Sequence, residues 1–212
     1  MKNKKLILAT WCLFVHSFTF AQNGNDFLQQ GISAYEQGNK DLAANLWEKS
    51  CHQKNAEACF NLGVVYEHGE GRTKNYANAV ALYEKACHLK SAPACYNLGN
   101  SYYHGNERPK DLNQSAVYYE KSCDLGAAQG CFALGNAYLD GKGRKQSYMQ
   151  ATKFYEKACN QDIVDACYNM AFAYEHGKGI EQNITLAKQY YQKSCNLGDK
   201  ESCNIYKEIN KQ

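Results

Sequence analysis

Apolar and small residues recur along this chain with the spacing of one helix face, and the whole pattern repeats every 36 residues. Counted from Cys59, Cys95, Cys131 and Cys167, a Leu or Met follows three residues later, a Gly or Ala four later and a Tyr seven later. Offsets of 0, 3, 4 and 7 lie on one side of an α-helix. A Gly ten residues after each cysteine is typical of a helix end. The pattern therefore predicts one helix, here called helix A, in each repeat.

A second periodic stretch precedes each of five further cysteines, which lie 36 residues apart. These are Cys51, Cys87, Cys123, Cys159 and Cys195. Four residues before each of them is an aromatic residue, and eight before is Ala or Ser. Residues four apart share a helix face, so each stretch predicts a second helix, helix B. The aromatic residues are Trp47, Tyr83, Tyr119, Tyr155 and Tyr191. No segment shows the strict alternation expected of a β-strand.

Paired helices at a fixed period predict an all-α fold, an α/α-repeat solenoid that winds as a right-handed superhelix. We divide the chain into a leader at 1–21, a shorter first repeat at 22–56, four repeats at 57–92, 93–128, 129–164 and 165–200, and a capping helix at 201–212. The first repeat has no cysteine at its start, which is typical of a terminal repeat.

The leader has the composition of a signal peptide. Lys2, Lys4 and Lys5 precede an apolar run that is shorter than the ~20 residues of a membrane-spanning helix. Cleavage near Ala21 would also remove Cys12, the one cysteine outside the periodic pattern. We therefore expect a secreted or periplasmic protein that is not attached to the membrane after cleavage.

Net charge argues against nucleic-acid binding. The chain has 24 Lys and Arg and 21 Asp and Glu. Three of the basic residues and none of the acidic residues lie in the leader, so the remainder is neutral. Because nucleic-acid binding depends on clustered Lys and Arg that neutralise phosphates, no such partner is expected.

The ten periodic cysteines predict disulfides, because cysteine-rich exported chains are stabilised in this way. Sequence alone does not fix their pairing, but helix geometry narrows it. One cysteine lies near the end of helix B and the next near the start of the following helix A, which a short turn joins. Cysteines 36 residues apart should be too distant to bond. The predicted pairs, one per repeat, are Cys51–Cys59, Cys87–Cys95, Cys123–Cys131, Cys159–Cys167 and Cys195–Cys203.

The repeated motif A-C-x-N-L-G-x-x-Y-x-x-G-x-G, followed by A-x-x-Y-x-K-A/S-C, resembles the Sel-like repeats, which are relatives of the tetratricopeptide repeat. With a cysteine pair in every unit behind a signal peptide, the chain resembles the Helicobacter cysteine-rich protein family. This resemblance implies a secreted α/α-repeat protein. It also implies binding of penicillin-type compounds or β-lactamase activity, and a link to host immune recognition.

Motifs for catalysis or metal binding are absent from the sequence. No Ser is followed three residues later by Lys, as serine β-lactamases require, and G-x-S-x-G and H-E-x-x-H do not occur. His68, His104 and His176 share one repeat position, which we interpret as a helix end. No metal and no cofactor is expected, and no catalytic residue is assigned.

Binding is expected on the concave side of helix A, one turn from the packing Gly. Asparagine carries both a donor and an acceptor, so a row of Asn side chains can hold a peptide backbone. The alternative is that these Asn side chains bond only within their own repeats. The candidate residues are Asn61, Val64, Glu67, Asn97, Asn100, Tyr103, Asn136, Leu139, Asn169, Phe172 and Glu175.

The sequence therefore favours a monomeric scaffold that binds a peptide or protein. A host receptor or a peptidoglycan fragment are the partners considered, and hydrolysis of β-lactams is the alternative that the resemblance implies. Asn113 and Asn183 also fit an extended bacterial N-glycosylation pattern.

Overall fold

Helices account for all the regular structure in the part of the chain that is described. The computed structural model describes residues 24–106 and 108–211, and these ranges contain eleven α-helices and no strand. The helices are α1 (24–36), α2 (Lys40–His52), α3 (Ala56–His68), α4 (Tyr76–His88), α5 (Ala92–His104), α6 (Leu112–Asp124), α7 (Ala128–Asp140), α8 (Tyr148–Cys159), α9 (Val164–His176), α10 (Ile184–Asn196) and α11 (Lys200–Ile209). Helices α1, α3, α5, α7 and α9 are the predicted A helices, and α2, α4, α6, α8 and α10 are the B helices. The predicted α/α-repeat fold is confirmed.

The described residues form two compact units, one that ends at Ser91 and one that begins at Ala92. In the first unit, α2 packs on α3 and α3 on α4. In the second unit, each helix from α5 to α11 packs on the next along the chain, and α5 also touches α7. This nearest-neighbour packing is typical of a repeat protein, whose core grows by stacking.

Local sequence explains where the helices begin and end. Asn75, Ser147 and Asn183 precede helices α4, α8 and α10, and their side chains accept a backbone N–H three residues on. These are the side chains that cap a helix N-terminus well. At the other end, Gly69 and Gly141 adopt left-handed backbone angles, with φ of 78° and 72°, which end α3 and α7 as predicted.

In four of the five repeats, the core is an aromatic ring of helix B packed over a Gly of helix A; the last repeat has Ala171 at that position. Tyr83 on α4 is fully buried, and a methyl group at Gly63 on α3 would lie 2.6 Å from its ring. The same approach recurs between Gly135 and Tyr155. Glycine at this position therefore lets the two helices come close enough to bury the ring.

All ten cysteines of the repeats are disulfide-bonded. The bridges Cys51–Cys59, Cys123–Cys131, Cys159–Cys167 and Cys195–Cys203 have Cα–Cα distances of 4.6, 4.5, 4.7 and 4.6 Å. Each joins the end of a B helix to the start of the next helix, as the spacing predicted. The bridges therefore tie neighbouring repeats together.

The proposed signal peptide and its cleavage site lie outside the described residues. Among the residues that are described, no helix has the length and apolar character needed to cross a membrane.

Candidate functional site

Three surface grooves with a common arrangement of helices lie within the two units. Each lies where helices A and B of one repeat meet helix A of the next repeat. The N-terminal groove lies among α1, α2 and α3, the central groove among α5, α6 and α7, and the C-terminal groove among α7, α8 and α9. Their volumes are about 350, 230 and 340 Å³ respectively.

The C-terminal groove is largely apolar. Its walls include the exposed rings of Tyr148 and Phe172, and Asn169 supplies a polar group. Lys178 also lines it, with Nζ 5.5 Å from the centroid of the Tyr148 ring. No carboxylate is among the lining residues of this groove, so its electrostatic character is that of a single cation over apolar walls.

Asparagine side chains and an ion pair between two residues of the protein distinguish the central groove. Asn100 and Asn136 face it from α5 and α7, together with Tyr103. At its edge Lys142 Nζ lies 2.9 Å from a carboxylate oxygen of Asp140. The hydrogen bond to Asp140 raises the pKa of Lys142.

The N-terminal groove is aromatic and acidic. Tyr35, Trp47 and Phe60 form its walls, and three carboxylates, those of Glu36, Glu57 and Glu70, line it. The Tyr35 hydroxyl donates a short hydrogen bond to Glu70, and Lys40 lies 3.2 Å from the same carboxylate. These two hydrogen bonds, that of Tyr35 first, lower the pKa of Glu70.

A buried tyrosine of helix B donates its hydroxyl to helix A in four of the repeats, and the acceptor occupies one of two positions. Tyr119 and Tyr155 each donate to an Asn Oδ1 at 2.7 Å, on Asn100 and Asn136. Tyr83 and Tyr191 instead donate to a glutamate three residues further along helix A. These acceptors are Glu67, at 2.5 Å, and Glu175, at 2.7 Å.

The two acceptor positions are complementary. Where the first position is Asn, the second is apolar or aromatic, and where the first is Val64 or Phe172, the second is Glu. A buried hydroxyl without an acceptor is costly, so each repeat retains one acceptor. Burial also raises the pKa of Tyr119 to about 12, so its hydroxyl remains a donor well into the alkaline range.

Eight of the eleven candidate residues line one of the three grooves, and three do not. Asn61 and Val64 line the N-terminal groove, Asn100, Tyr103 and Asn136 the central groove, and Leu139, Asn169 and Phe172 the C-terminal groove. Glu67 and Glu175 accept from buried tyrosines, and Asn97 is half-buried on α5 outside these three grooves.

The alternative of bonding within a repeat holds for one atom of Asn100 and one of Asn136. Each Oδ1 accepts from a tyrosine, while an amide side chain also has two N–H donors and a second lone pair. Both residues can therefore contribute to the fold and still present donors to the groove.

Sequence reasoning missed the residues that helix B and the loops bring to the grooves. Thr152 and Tyr148 enter from α8, and Lys142 and Lys178 from the loops after α7 and α9. The periodic row of aromatic residues on helix B was a usable signal. The loop lysines share one repeat position, 36 residues apart, but that spacing does not show that they reach a groove, because their approach depends on how one repeat is rotated against the next.

The remaining polar candidates lie at helix ends. His68, His104 and His176 are the last residues of α3, α5 and α9 and are exposed. Across the described part of the chain, no group of three His, Cys, Asp or Glu residues could hold a metal ion. Asn183 caps α10 through its side chain, and Asn113 is exposed in the first turn of α6.

Comparison with known proteins agrees with this architecture. A family model described as Sel1 repeat matches residues 24–55, 56–91, 92–126, 128–163 and 164–199. The chain belongs to the Sel1-repeat family. Sel1 repeats form scaffolds suited to protein interaction, and the family thereby accounts for the helix pairs and the repeated grooves.

Relatives with solved structures support the fold. A protective antigen of uropathogenic Escherichia coli, c5321, which displays an SLR fold, is 30% identical with a TM-score of 0.82, over 88% of this chain and 41% of that one. The cysteine-rich protein B of Helicobacter pylori is 30% identical with a TM-score of 0.50, over 62% of this chain and 95% of that one.

Two curated relatives of this Sel1-repeat protein are proteins of Helicobacter pylori. Proteins of two Helicobacter pylori strains, both called "Putative beta-lactamase HcpE", are 34% identical over 68 and 61 residues. These matches cover 32% and 29% of this chain but only 19% and 17% of the relatives. The chain therefore matches less than a fifth of the length of these relatives.

Proposed function

We propose that this protein is an extracytoplasmic scaffold that binds a peptide segment of a partner in the grooves between its repeats. The observation that carries the proposal is the repetition of one groove plan, with apolar and aromatic walls and a few convergent polar groups, at three junctions. Ligand sites commonly have this composition. A disulfide in every repeat fits an oxidising compartment outside the cytoplasm.

Rigid aromatic and amide side chains suit a peptide ligand. Tyr and Phe supply contact area with little loss of conformational entropy, and Asn adapts to backbone donors and acceptors. The disulfides hold neighbouring repeats in register, so less ordering is required when a partner binds. Each groove is therefore preorganised for a segment of the partner.

Selection from a random peptide display library against the disulfide-intact protein tests this proposal. Selected peptides should bind at least about tenfold more weakly, a loss of ~1.4 kcal/mol, to the Phe172→Ala variant. Met149→Ala is the matched control, because Met149 is an exposed apolar residue of α8 that lines none of the three grooves. Failure to enrich any peptide, or affinities unaffected by substitutions in all three grooves, would refute peptide binding.

Hydrolysis of β-lactams is a second candidate, supported by the name of the two Helicobacter relatives. The test is turnover of a chromogenic cephalosporin by the disulfide-intact protein, with a heat-denatured sample as control. Turnover above that control would establish the activity. Binding of a β-lactam or a muropeptide without turnover would instead point to recognition of cell-wall fragments.

Export and processing follow from the leader. We expect the exported protein to begin at Gln22, with Cys12 removed. N-terminal sequencing of protein recovered from the periplasm and from the medium would identify both the cleavage site and the compartment.

A further inference from the structure

The N-terminal groove differs in charge from the groove near the other end of the described chain. Glu36, Glu57 and Glu70 line it, whereas the C-terminal groove has Lys178 and no lining carboxylate. Aromatic rings form much of the wall in both. Carboxylates beside aromatic faces attract a cation in two ways, through the charge and through the ring quadrupole.

A cation of the protein itself lies beside one corner of this groove, although it is not one of the lining residues. Lys40 Nζ lies 3.2 Å from Glu70 and 5.6 Å from the centroid of the Tyr35 ring. This corner is therefore suited to an ammonium group. The hydrogen bond from Tyr35 keeps the pKa of Glu70 below its ordinary value, so the carboxylate is ionised at neutral pH.

Two further carboxylates of the groove are not neutralised in this way. Among the described residues, Glu36 and Glu57 have no ion-pair partner, and both are exposed. Lys40 offsets only one of the three negative charges. The groove therefore has room and net negative charge for a second cation.

A buried donor without an acceptor is an independent sign of a ligand. Trp47, which is 5% exposed, lines the groove, and its Nε1 has no acceptor among the described residues. In the other repeats this position is a tyrosine whose hydroxyl bonds to helix A. The corresponding positions on α1 are Ile32, which cannot accept, and Tyr35, which is bonded to Glu70. Buried donors are rarely left unpaired.

We infer that the N-terminal groove binds a partner segment through a basic side chain, Lys or Arg, and that the Trp47 ring, whose Nε1 is covered and lies against Gly31, shifts so that its N–H reaches a carbonyl of that segment. The aliphatic stem would pack on Val64 and Phe60, and the cationic end would pair with Glu57 and Glu36. This inference rests on the proposed function, because it names the peptide chemistry that one of the proposed grooves selects.

Trp47 also makes the inference directly testable. The chain has two tryptophans, Trp11 in the leader and Trp47. A full-length Trp11→Phe protein therefore reports on this groove alone by its fluorescence. The probes are acetylated and amidated pentapeptides of alanine with a central Arg, Lys or citrulline, titrated to millimolar concentrations.

The Arg and Lys peptides should shift the Trp47 emission, and the neutral citrulline peptide should bind about tenfold more weakly, equivalent to ~1.4 kcal/mol. Glu57→Gln should weaken the Arg peptide severalfold, and Lys40→Ala should strengthen it, because that substitution removes a competing cation. Glu208→Gln, an exposed position on α11, is the matched control and should change neither.

Equal binding of the Arg and citrulline peptides, or no change in Trp47 emission at any concentration, would overturn the inference. If peptides bind in a Phe172-dependent manner while Trp47 emission stays constant, the proposed function is supported and only the inference about the N-terminal groove is refuted. Folding of each variant is checked by its far-ultraviolet circular dichroism.

Discussion

Ser115 is a buried residue at which one repeat departs from the others. Its side chain is 1% exposed, and its Oγ makes no hydrogen bond of ordinary geometry among the described residues, although it interacts with the Tyr119 hydroxyl enough to offset part of the rise in the pKa of that group. The equivalent positions in the other repeats are Ala43, Ala79, Ala151 and Ala187. A buried hydroxyl that lacks a partner costs about 1–3 kcal/mol of desolvation.

We therefore expect Ser115→Ala to raise the free energy of unfolding by about 1 kcal/mol. Ser122→Ala is the matched control, because Ser122 is also buried but its Oγ donates to the Ala92 carbonyl at 2.8 Å. That change should lower the free energy of unfolding by about 1 kcal/mol. Urea denaturation followed by circular dichroism measures both, and a loss of stability in Ser115→Ala would show that the hydroxyl is in fact satisfied.

Gly135 tests the close approach of helices A and B. A methyl group at this position would lie 2.6 Å from the Tyr155 ring. The ring would have to move away from Asn136, and overpacking of this kind costs about 1–3 kcal/mol. Because the helix propensity of Ala offsets at most about 1 kcal/mol, Gly135→Ala should destabilise the protein.

The last repeat, residues 165–200, shows how the position equivalent to Gly135 accommodates a methyl group. It has Ala171 in place of the packing Gly, and its Tyr168–Tyr191 ring pair lies at 72°, against 43° for Phe132–Tyr155. Nuclear magnetic resonance of Gly135→Ala should therefore show Tyr155 in a changed ring environment. An increase in the urea midpoint would contradict the steric argument.

At the scale of the element, α11 depends on its cap. Asp199 accepts from the backbone N–H groups of Glu201 and Ser202, at 3.2 and 3.1 Å, and from the Ser202 hydroxyl at 2.6 Å. The Ser202 hydroxyl contributes most to lowering the pKa of Asp199. A carboxyl whose pKa is lowered by folding stabilises the folded state above its unfolded pKa and loses that effect as the pH falls through the folded value.

Asp199→Ala should therefore lower the stability of α11 by about 1 kcal/mol at neutral pH, and by less in acid, where the wild-type carboxylate is itself protonated. Hydrogen exchange of the α11 amides at neutral and acid pH measures the difference. Asp124→Ala provides the control, because Asp124 is exposed at the C-terminal end of α6 and caps no helix start. A loss that is equal at both pH values would exclude the carboxylate charge as its cause.

The elements of this protein were predictable from sequence because their signals are local. The 36-residue spacing placed each cysteine at a helix end, and Gly69 and Gly141 end their helices in the left-handed conformation that glycine favours. The grooves were only partly predictable. Asn136 and Phe172 lie on the A helices, but the acceptor of Tyr155 and the approach of Lys178 depend on rotations between helices that no local spacing encodes.

At the scale of the whole molecule, the disulfides decide how the repeats hold together. Each bridge closes a segment of about nine residues, worth ~2.5 kcal/mol in the chain-entropy model. Five such contributions approach the whole stability of an ordinary domain, which is about 5–15 kcal/mol. Complete reduction should therefore unfold the protein or lower its melting temperature severely, as measured by circular dichroism with and without dithiothreitol.

Removal of single bridges should separate local from long-range effects. In a repeat protein each unit is stabilised mainly by its neighbours. Replacing Cys195 and Cys203 with serine should release α11. Among the described helices, α11 packs substantially on α10 only. Replacing Cys159 and Cys167, which are fully buried between α8 and α9, should expose the amides of both flanking repeats to hydrogen exchange. If the two double variants lose hydrogen-exchange protection equally, the second unit unfolds in a single cooperative transition. The position of a bridge within that unit would then not matter.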